Sequence, residues 1–494
     1  MKTLFSTGLS IGIGLGVMLL AGSCTGTQTA SEQSYLRSDY YTRGIGQYPG
    51  CPAEDFSPEL LPDGSAYRNL ALLRPAYQSS AYDYNLTSQL VTDGLLTDRR
   101  PAYLVLSTPQ GELPSREREW MIDGGPFSRN KVAGEDTYFQ FRLANYPQQV
   151  NQVAVTGILV YDDKAARGGY VMEWEASADG QQWTSLCRRA GSGLPGKALP
   201  GRAQVNDPNK QTEQVSMPMR QLNDVFDFLA AEAYTYYRLR LKMTGAYEWS
   251  FTDMRFSNAG GDIEMKPSSL FTSVWMSAGT GQEWIYVDLG SRSDFDKVVL
   301  HWVNKAVDGK IQASDDAQTW TDLAALPGGE GLTDEIAVDG KARYVRICMN
   351  KSADGDRYVL SELQVMGKGG LVARPAGMPA VEQGRMSLSG GGWMLQRASE
   401  VKASGEEISK PDYQTQGWVV ATVPGTVLSS YKNVGAIADP NYADNQLTVS
   451  ESFFNSDFWY RDEFEMPADF GRERVFLNFD GINWKANVYL NGQK

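Results

Sequence analysis

The first hydrophobic feature of the chain is an apolar run, Ile11 to Leu20, behind the positive charge of Lys2 and directly before the small residues Ala21-Gly22-Ser23. About 20 apolar residues are needed to cross a bilayer, so this shorter run predicts a secretory signal over residues 1–23 rather than a spanning helix. Beyond it, apolar and polar residues alternate in short runs. Examples are Tyr138-Phe-Gln-Phe-Arg-Leu143, Tyr236-Tyr-Arg-Leu-Arg-Leu241 and Arg474-Val-Phe-Leu-Asn-Phe479, with Gly, Asp, Asn and Pro between them. Period-2 alternation bounded by turn residues predicts strands with one face in a core, packed as antiparallel sandwiches. Sustained 3.6-residue periodicity is nearly absent; Asp224 to Glu232 is the clearest candidate for a short helical turn. The expected fold class is all-β.

One strand pattern occurs twice. Ser177-Ala-Asp-Gly-Gln-Gln-Trp-Thr184 recurs as Ser314-Asp-Asp-Ala-Gln-Thr-Trp-Thr321, Tyr236-Tyr-Arg-Leu239 as Tyr344-Val-Arg-Ile347, and Phe251 to Phe256 as Leu360 to Val365. Such self-similarity marks two homologous modules. From the serine to the Tyr-x-Arg strand is 59 residues in the first copy (177 to 236) and 30 in the second (314 to 344), so the first carries an insertion, placed at Gly191 to Pro208. The repeated motif reads as a tight turn in which Asp and Ser side chains tie to backbone N–H groups. Trp183 and Trp320 are expected to restart strands facing the core.

Composition narrows the function classes. A length of 494 residues suggests about three domains at ~150 residues each. A net charge of −13 excludes nucleic acid as a partner and disfavours electrostatic docking to an anionic membrane. The single histidine, His301, excludes a histidine-rich metal site and argues against a Ser-His-Asp mechanism; it reads as a packed or surface residue. Cys51, Cys187 and Cys348 form no CxxC pair, so zinc-ribbon and thioredoxin chemistry are out. Cys24 is different: Ala21-Gly22-Ser23-Cys24 resembles a bacterial lipobox, which implies a lipidated Cys24, a polar tether from it, and a cell-envelope location held only by the lipid.

The repeated residues resemble the discoidin module, also called the coagulation factor V/VIII C-type domain. The second copy, residues 259–368, carries Ser273-Val-Trp-Met-Ser277, Glu283-Trp-Ile-Tyr-Val-Asp-Leu-Gly290, Ala342 to Ile347 and Ser361-Glu-Leu-Gln-Val365. The first, residues 66–258, is assigned Asn69-Leu-Ala71, Ser79-Ser80 and Val91-Thr-Asp-Gly94 as its opening. The resemblance implies jelly-roll sandwiches with ligand loops at one end, a glycan or a protein as partner, no cofactor, and a structural calcium at Asp93. A turn-forming aspartate is the alternative there.

After a linker (369–384), residues 385–494 change character. Gly417-Trp-Val-Val-Ala-Thr-Val-Pro-Gly-Thr-Val427, Ala438-Asp-Pro-Asn-Tyr-Ala-Asp-Asn445, Phe458-Trp-Tyr-Arg-Asp-Glu-Phe464, Phe476 to Trp484 and the Asn491-Gly492 hairpin signature follow in order. This series is similar to the N-terminal, galactose-binding-like sandwich of glycoside hydrolase family 2, its β-mannosidase and exo-β-glucosaminidase branch in particular. Carried over, Asn445 would contact a sugar, with Asp444 beside it; a loop asparagine capping local backbone is the alternative. Trp459 and Trp484 read as packing residues.

Retaining glycosidases work with two carboxyl groups about 5–5.5 Å apart. The resemblance places both in a later barrel, so no catalytic residue is assigned, and the last sandwich is expected to be incomplete at Lys494. The function expected is the non-catalytic, oligosaccharide-binding front of an exported exo-acting β-glycosidase. A glycan- or protein-binding envelope lipoprotein without hydrolase activity is the alternative.

Overall fold

A computed structural model describes residues 55–494 apart from 102–103, 114–120, 122–129, 144–146, 163–167, 207–212, 264–270, 379–380, 383 and 471–473. The expected signal segment, Cys24, Cys51 and the expected tether up to residue 54 therefore lie outside the described residues. Strands account for 47% and helix for 7%, and the all-β expectation holds. The chain divides into two compact units. The larger comprises Leu61–Val372 with Gly435–Asp457; the smaller holds the described residues up to Leu60, Ala373–Val434 and Phe458–Lys494.

The chain opens with β1 (Glu59–Pro62), β2 (Tyr67–Asn69) and β3 (Ala76–Gln78). It then builds one complete sandwich from β4 (Val105–Thr108), β5 (Gly111–Glu112), β6 (Asn130–Ala133), β7 (Asp136–Arg142), β8 (Gln152–Tyr161), β9 (Tyr170–Ser177), β10 (Thr184–Gly191), β11 (Lys197–Asn206), β12 (Gln214–Asp227), β13 (Tyr236–Met243), β14 (Ala246–Asn258) and β15 (Gly261–Asp262). One sheet runs β10-β9-β13-β7-β4-β5 and the other β11-β12-β8-β14-β15, with β6 on β14. Their inward residues enclose Phe139, Phe141, Trp174, Phe226 and Phe256 in edge or tilted ring contacts. Each such side chain contributes roughly 1.5–3 kcal/mol by leaving water. The expected helical turn at Asp224 is strand instead. Asp224–Asp227 pairs with β8, Val225 is 47% exposed and Phe226 is fully buried, a period of two rather than 3.6. The extra length of the first repeat is β11, which pairs with β12 as a ribbon.

A second sandwich follows: β16 (Trp275–Met276), β17 (Glu283–Asn304), β18 (Ala306–Ser314), β19 (Thr321–Ala325), β20 (Thr333–Ser352) and β21 (Val359–Lys368), ordered β16-β21-β17-β20-β18-β19. Here the structure corrects the reading of the opening segment. β2 pairs with β21 and β3 with β17, and Leu70, Ala71, Ala76 and Val91 pack in the core with Trp275, Ile285 and Tyr358. Asn69–Ala71, Ser79–Ser80 and Val91–Gly94 thus open the second sandwich, not the first. The first is inserted into the second, which we call the host. The physical reason is pairing: β2 and β3 are three residues each and satisfy their backbone groups on the host's long strands.

β22 (Leu371–Arg374) pairs with β1; in the smaller unit, β23 (Met394–Arg397), β24 (Val419–Val420) and β25 (Phe458–Arg461) form a sheet ordered β24-β23-β25. Asn491 and Gly492 have φ of +49° and +85°, the two left-handed residues that an Asn-Gly turn needs, and Leu490 bridges Gln493 across them. Arg474–Phe479 forms no strand among the described residues. Val475, Phe476, Leu477 and Phe479 are exposed there, and Trp484, expected to pack, is 95% exposed. Strand formation needs a partner ladder, and no described segment supplies one. Trp459 does pack, against Tyr489.

Candidate functional site

The repeated turn forms as the side-chain chemistry predicts. Ser177 donates to Asp179, whose Oδ1 accepts from the backbone of Gln181 and Gln182 at 2.8 and 2.9 Å. Asp316 does the same with Ser314, Gln318 and Thr319. The Thr319 and Gln318 N–H groups hold the exposed Asp316 carboxyl down at about 2. The tryptophans after these turns differ from expectation. Trp183 and Trp320 are half-buried on the outer sheet faces, stacked under Arg238 at 3.9 Å and Arg346 at 4.1 Å. In Tyr-x-Arg strands the residue between Tyr and Arg takes the core, leaving the arginine outside to receive the ring. Trp174 fills the inserted core in their place. On the host's outer face, Trp284, Tyr286 and Tyr77 continue the ring contacts, at 5.4 and 4.8 Å in near-parallel stacks.

Asp93 lies where the chain leaves the host. Its Oδ1 accepts from Leu95 N at 2.9 Å and its Oδ2 from Ser273 Oγ at 2.5 Å, so it does build the turn. It also faces Glu362 on β21, which sequence reasoning passed over. Glu362 is 1% exposed, and neither carboxyl oxygen has a hydrogen-bond partner of ordinary geometry. Burial first, then the Asp93 charge, push its carboxyl well above the usual range, with the Gly94 N–H opposing. A lone carboxylate in the apolar run Val359–Val365 was the available signal. Among the described residues no group of three or more His, Cys, Asp or Glu could hold a metal. Any ion here would take two carboxylates plus hydroxyl and carbonyl oxygens, a hard-cation donor set.

Asn445 and Asp444 sit on a loop from 436 to 449 that clusters with the sandwiches. Asp444 is exposed and Asn445 half-buried. Asn445 Nδ2 donates to the Asp439 carbonyl at 3.0 Å, so the local-capping alternative is real, while its Oδ1 makes no hydrogen bond among the described residues. Ala443, at the loop's tip, has φ of +48°, a left-handed conformation unfavourable for a residue with a Cβ. Tyr442, 64% exposed, stands next to it. The loop's stems are fastened to the host. Ser450 N donates to Gln89 Oε1 at 2.9 Å, Ser450 Oγ to the Asn85 carbonyl at 3.0 Å, and Glu451 N to the Tyr84 carbonyl at 2.9 Å. Gln78 Nε2 reaches the Leu447 carbonyl at 3.2 Å, and Phe453 meets Phe271 edge-on.

The inserted sandwich meets the host through charges. Arg142 on β7 pairs with Asp356 at 2.6 Å, and Arg357 with Glu112 on β5 at 2.9 Å. Arg100 pairs with Asp354 at 2.8 Å, and Asn304 also donates to that carboxylate. Burial opposes ionisation of Asp354, but Arg100, the Asp356 N–H and Asn304 outweigh it and hold its carboxyl below the ordinary value.

Two stretches of the chain match known families. Residues 393–494 match the family described as "Glycosyl hydrolase 2 galactose-binding domain-like", and residues 261–347 match "NedA-like, galactose-binding domain". The chain is similar to an exo-beta-D-glucosaminidase of Streptomyces avermitilis, 33% identical over 103 residues, which are 21% of this chain and 11% of that protein. It is similar to a mannosylglycoprotein endo-beta-mannosidase of Lilium longiflorum, 32% identical over 110 residues, again 11% of that protein. The matched region thus spans about a tenth of these curated relatives. Among solved structures, chitosan-binding module 1 of a Paenibacillus sp. IK-5 chitosanase/glucanase is 32% identical, with 20% of this chain and 83% of that chain covered and a TM-score of 0.18.

Proposed function

We propose that this chain is the carbohydrate-binding front of an exported, lipid-anchored β-glycosidase of the glycoside hydrolase 2 type, exo-acting by a retaining two-carboxylate mechanism housed in a further barrel. The match of residues 393–494 to a glycoside hydrolase 2 sugar-binding sandwich carries this reading. In it, the loop from 436 to 449 presents the amide of Asn445 and the carboxylate of Asp444 to a sugar. An amide both donates and accepts, which suits a hydroxyl. Lipidation at Cys24 would hold the protein at the cell envelope, and a glycan would be its partner. A structural calcium held by Asp93 and Glu362 would let Glu362 ionise in its buried site, and its part would be to fix the Val91–Gly94 turn against β21.

One observation favours a spacer role for the inserted sandwich over a second lectin. The host loop 353–357, at one end of the sandwich, is occupied by the ion pairs to Arg142 and Glu112. The test is titration calorimetry of the chain with glucosamine and mannose oligosaccharides, beside Asn445→Ala and Asp444→Ala. Binding by the parent chain that falls at least tenfold in Asn445→Ala supports the reading. Equal binding in both variants removes the loop from it. Residues 55–494 by themselves should not hydrolyse aryl β-mannosides or β-glucosaminides, and turnover would relocate the chemistry.

A further inference from the structure

We infer that the host sandwich is a positioning scaffold for the loop that carries Asn445, so its function lies in aiming a sugar-binding element that belongs to another domain in sequence. The inference rests on the proposed role of Asn445 and goes beyond it by naming the residues that set the loop's place: Arg74, Gln78, Gln89 and Ser450.

The loop enters at Gly435 and leaves at Ser450. At the entrance Gly435 has φ of +75°, and a Cβ there would lie 3.0–3.3 Å from the Arg74 guanidinium. Arg74 is itself buried at 6% exposure. The backbone conformation favours glycine there, and a Cβ would press on the guanidinium. At the exit Ser450 is fully buried and spends both polar groups on the host, N–H to Gln89 and hydroxyl to Asn85. Between the stems, Gln78 is bound at both ends: its Oε1 accepts from Ser88 N at 2.7 Å and its Nε2 donates to the Leu447 carbonyl. Gln89 and Ser450 lie 361 residues apart in sequence. A loop packed on Arg74 at its entrance and tied to the host at Leu447 and Ser450 on its exit side loses part of the conformational freedom it would otherwise give up on binding, which is how preorganisation raises affinity.

The experiment uses the full chain and three variants, Gln78→Ala, Gln89→Leu and Ser450→Ala. Hydrogen exchange is followed in peptides covering 438–449, with peptides from β17 and β20 as the control for folding. Binding of a glucosamine tetrasaccharide and of mannobiose is measured in parallel. The expected result is exchange at least tenfold faster in 438–449, with β17 and β20 unchanged and the affinity for a bound probe reduced about five- to twentyfold. Gln78→Ala touches a half-exposed residue, so it retains the test if a buried variant fails to fold. Exchange at the parent rate in 438–449 in every folded variant overturns the inference. Faster exchange in variants of a parent that binds neither probe supports the scaffold and counts against the glycan reading, so the two fail separately.

Discussion

Removing the carboxylate of Asp334 should cost the host sandwich far more than removing the whole ion pair it belongs to. Lys305 and Asp334 are each 4% exposed at the side chain, with Nζ and Oδ1 2.6 Å apart. Lys305 also donates to the Gly331 carbonyl, and Asp334 Oδ2 accepts from the Trp302 indole at 2.9 Å. At an effective dielectric of ~20 the attraction at this distance is roughly 6 kcal/mol, and desolvating the two ions costs several kcal/mol each. The pair is therefore close to neutral overall. Asp334→Ala leaves the Lys305 charge and the Trp302 N–H buried without their partner, which costs ~3–5 kcal/mol. Lys305→Met with Asp334→Leu removes both charges and should recover most of that loss. Hydrogen exchange of peptides in β17 and β20 reads the local opening free energy. Asp334→Ala should speed it by roughly two to three and a half orders of magnitude, since 1.36 kcal/mol is tenfold. Exchange within tenfold of the parent in Asp334→Ala would refute the reasoning. So would a double variant as labile as the single one, because the cost would then be one of shape and not of charge.

Four further outcomes are expected. Calcium should raise the thermal midpoint of the parent chain measured by scanning calorimetry and leave that of Asp93→Ala unchanged. Without calcium, the Glu362 carboxyl is raised in the fold, so its contribution favours the fold below the ordinary glutamate value and is lost as pH rises through the folded value; Glu362→Gln should flatten that decline. Asp316 and Asp354 are shifted the other way: their contributions are present above the ordinary value near 3.9 and lost as pH falls, for Asp316 toward about 2. Carboxyl NMR titration should therefore find Asp316 still ionised at pH 3, and an ordinary midpoint would contradict the turn geometry. Ala443→Gly should relieve about 1 kcal/mol of left-handed strain and slow exchange in 438–449; unchanged or faster exchange would show that the strain is not relieved there.

Local chemistry was legible in the sequence wherever cause and effect lie within a few residues. The Ser-x-Asp turns are one case, because a short side chain reaches only its own neighbours, and the Asn491-Gly492 turn is another. The alternating runs gave the strands of both sandwiches for the same reason. What failed was assignment across distance. The phase of Trp183 and Trp320 after a turn predicts core, but the ring's side is decided by the arginine facing it from a strand up to 55 residues on, Arg238 and Arg346. Asp224 to Glu232, around Phe226, is short enough for either period, and only pairing with β8 decides.

The insertion is the largest such case, and it changes what the repeat means. Two homologous copies in tandem should each open with their own first strands, which assigns Val91-Thr-Asp-Gly94 to the first copy. Yet Asp93 meets Ser273 and Glu362, 180 and 269 positions on, and β3 hydrogen-bonds to β17. A chain can leave a sandwich and return because closing a longer loop costs only ~0.6 kcal/mol for each doubling of its length. The long excursion is then closed by Arg142 and Glu112 at the loop 353–357, on residues that no local pattern marks. The same logic places the Asn445 loop: Gln89 is an ordinary glutamine until Ser450 arrives from another domain to donate to it. Residues that position a site from afar carry no motif, because what selects them is the backbone group they meet and not their neighbours in sequence.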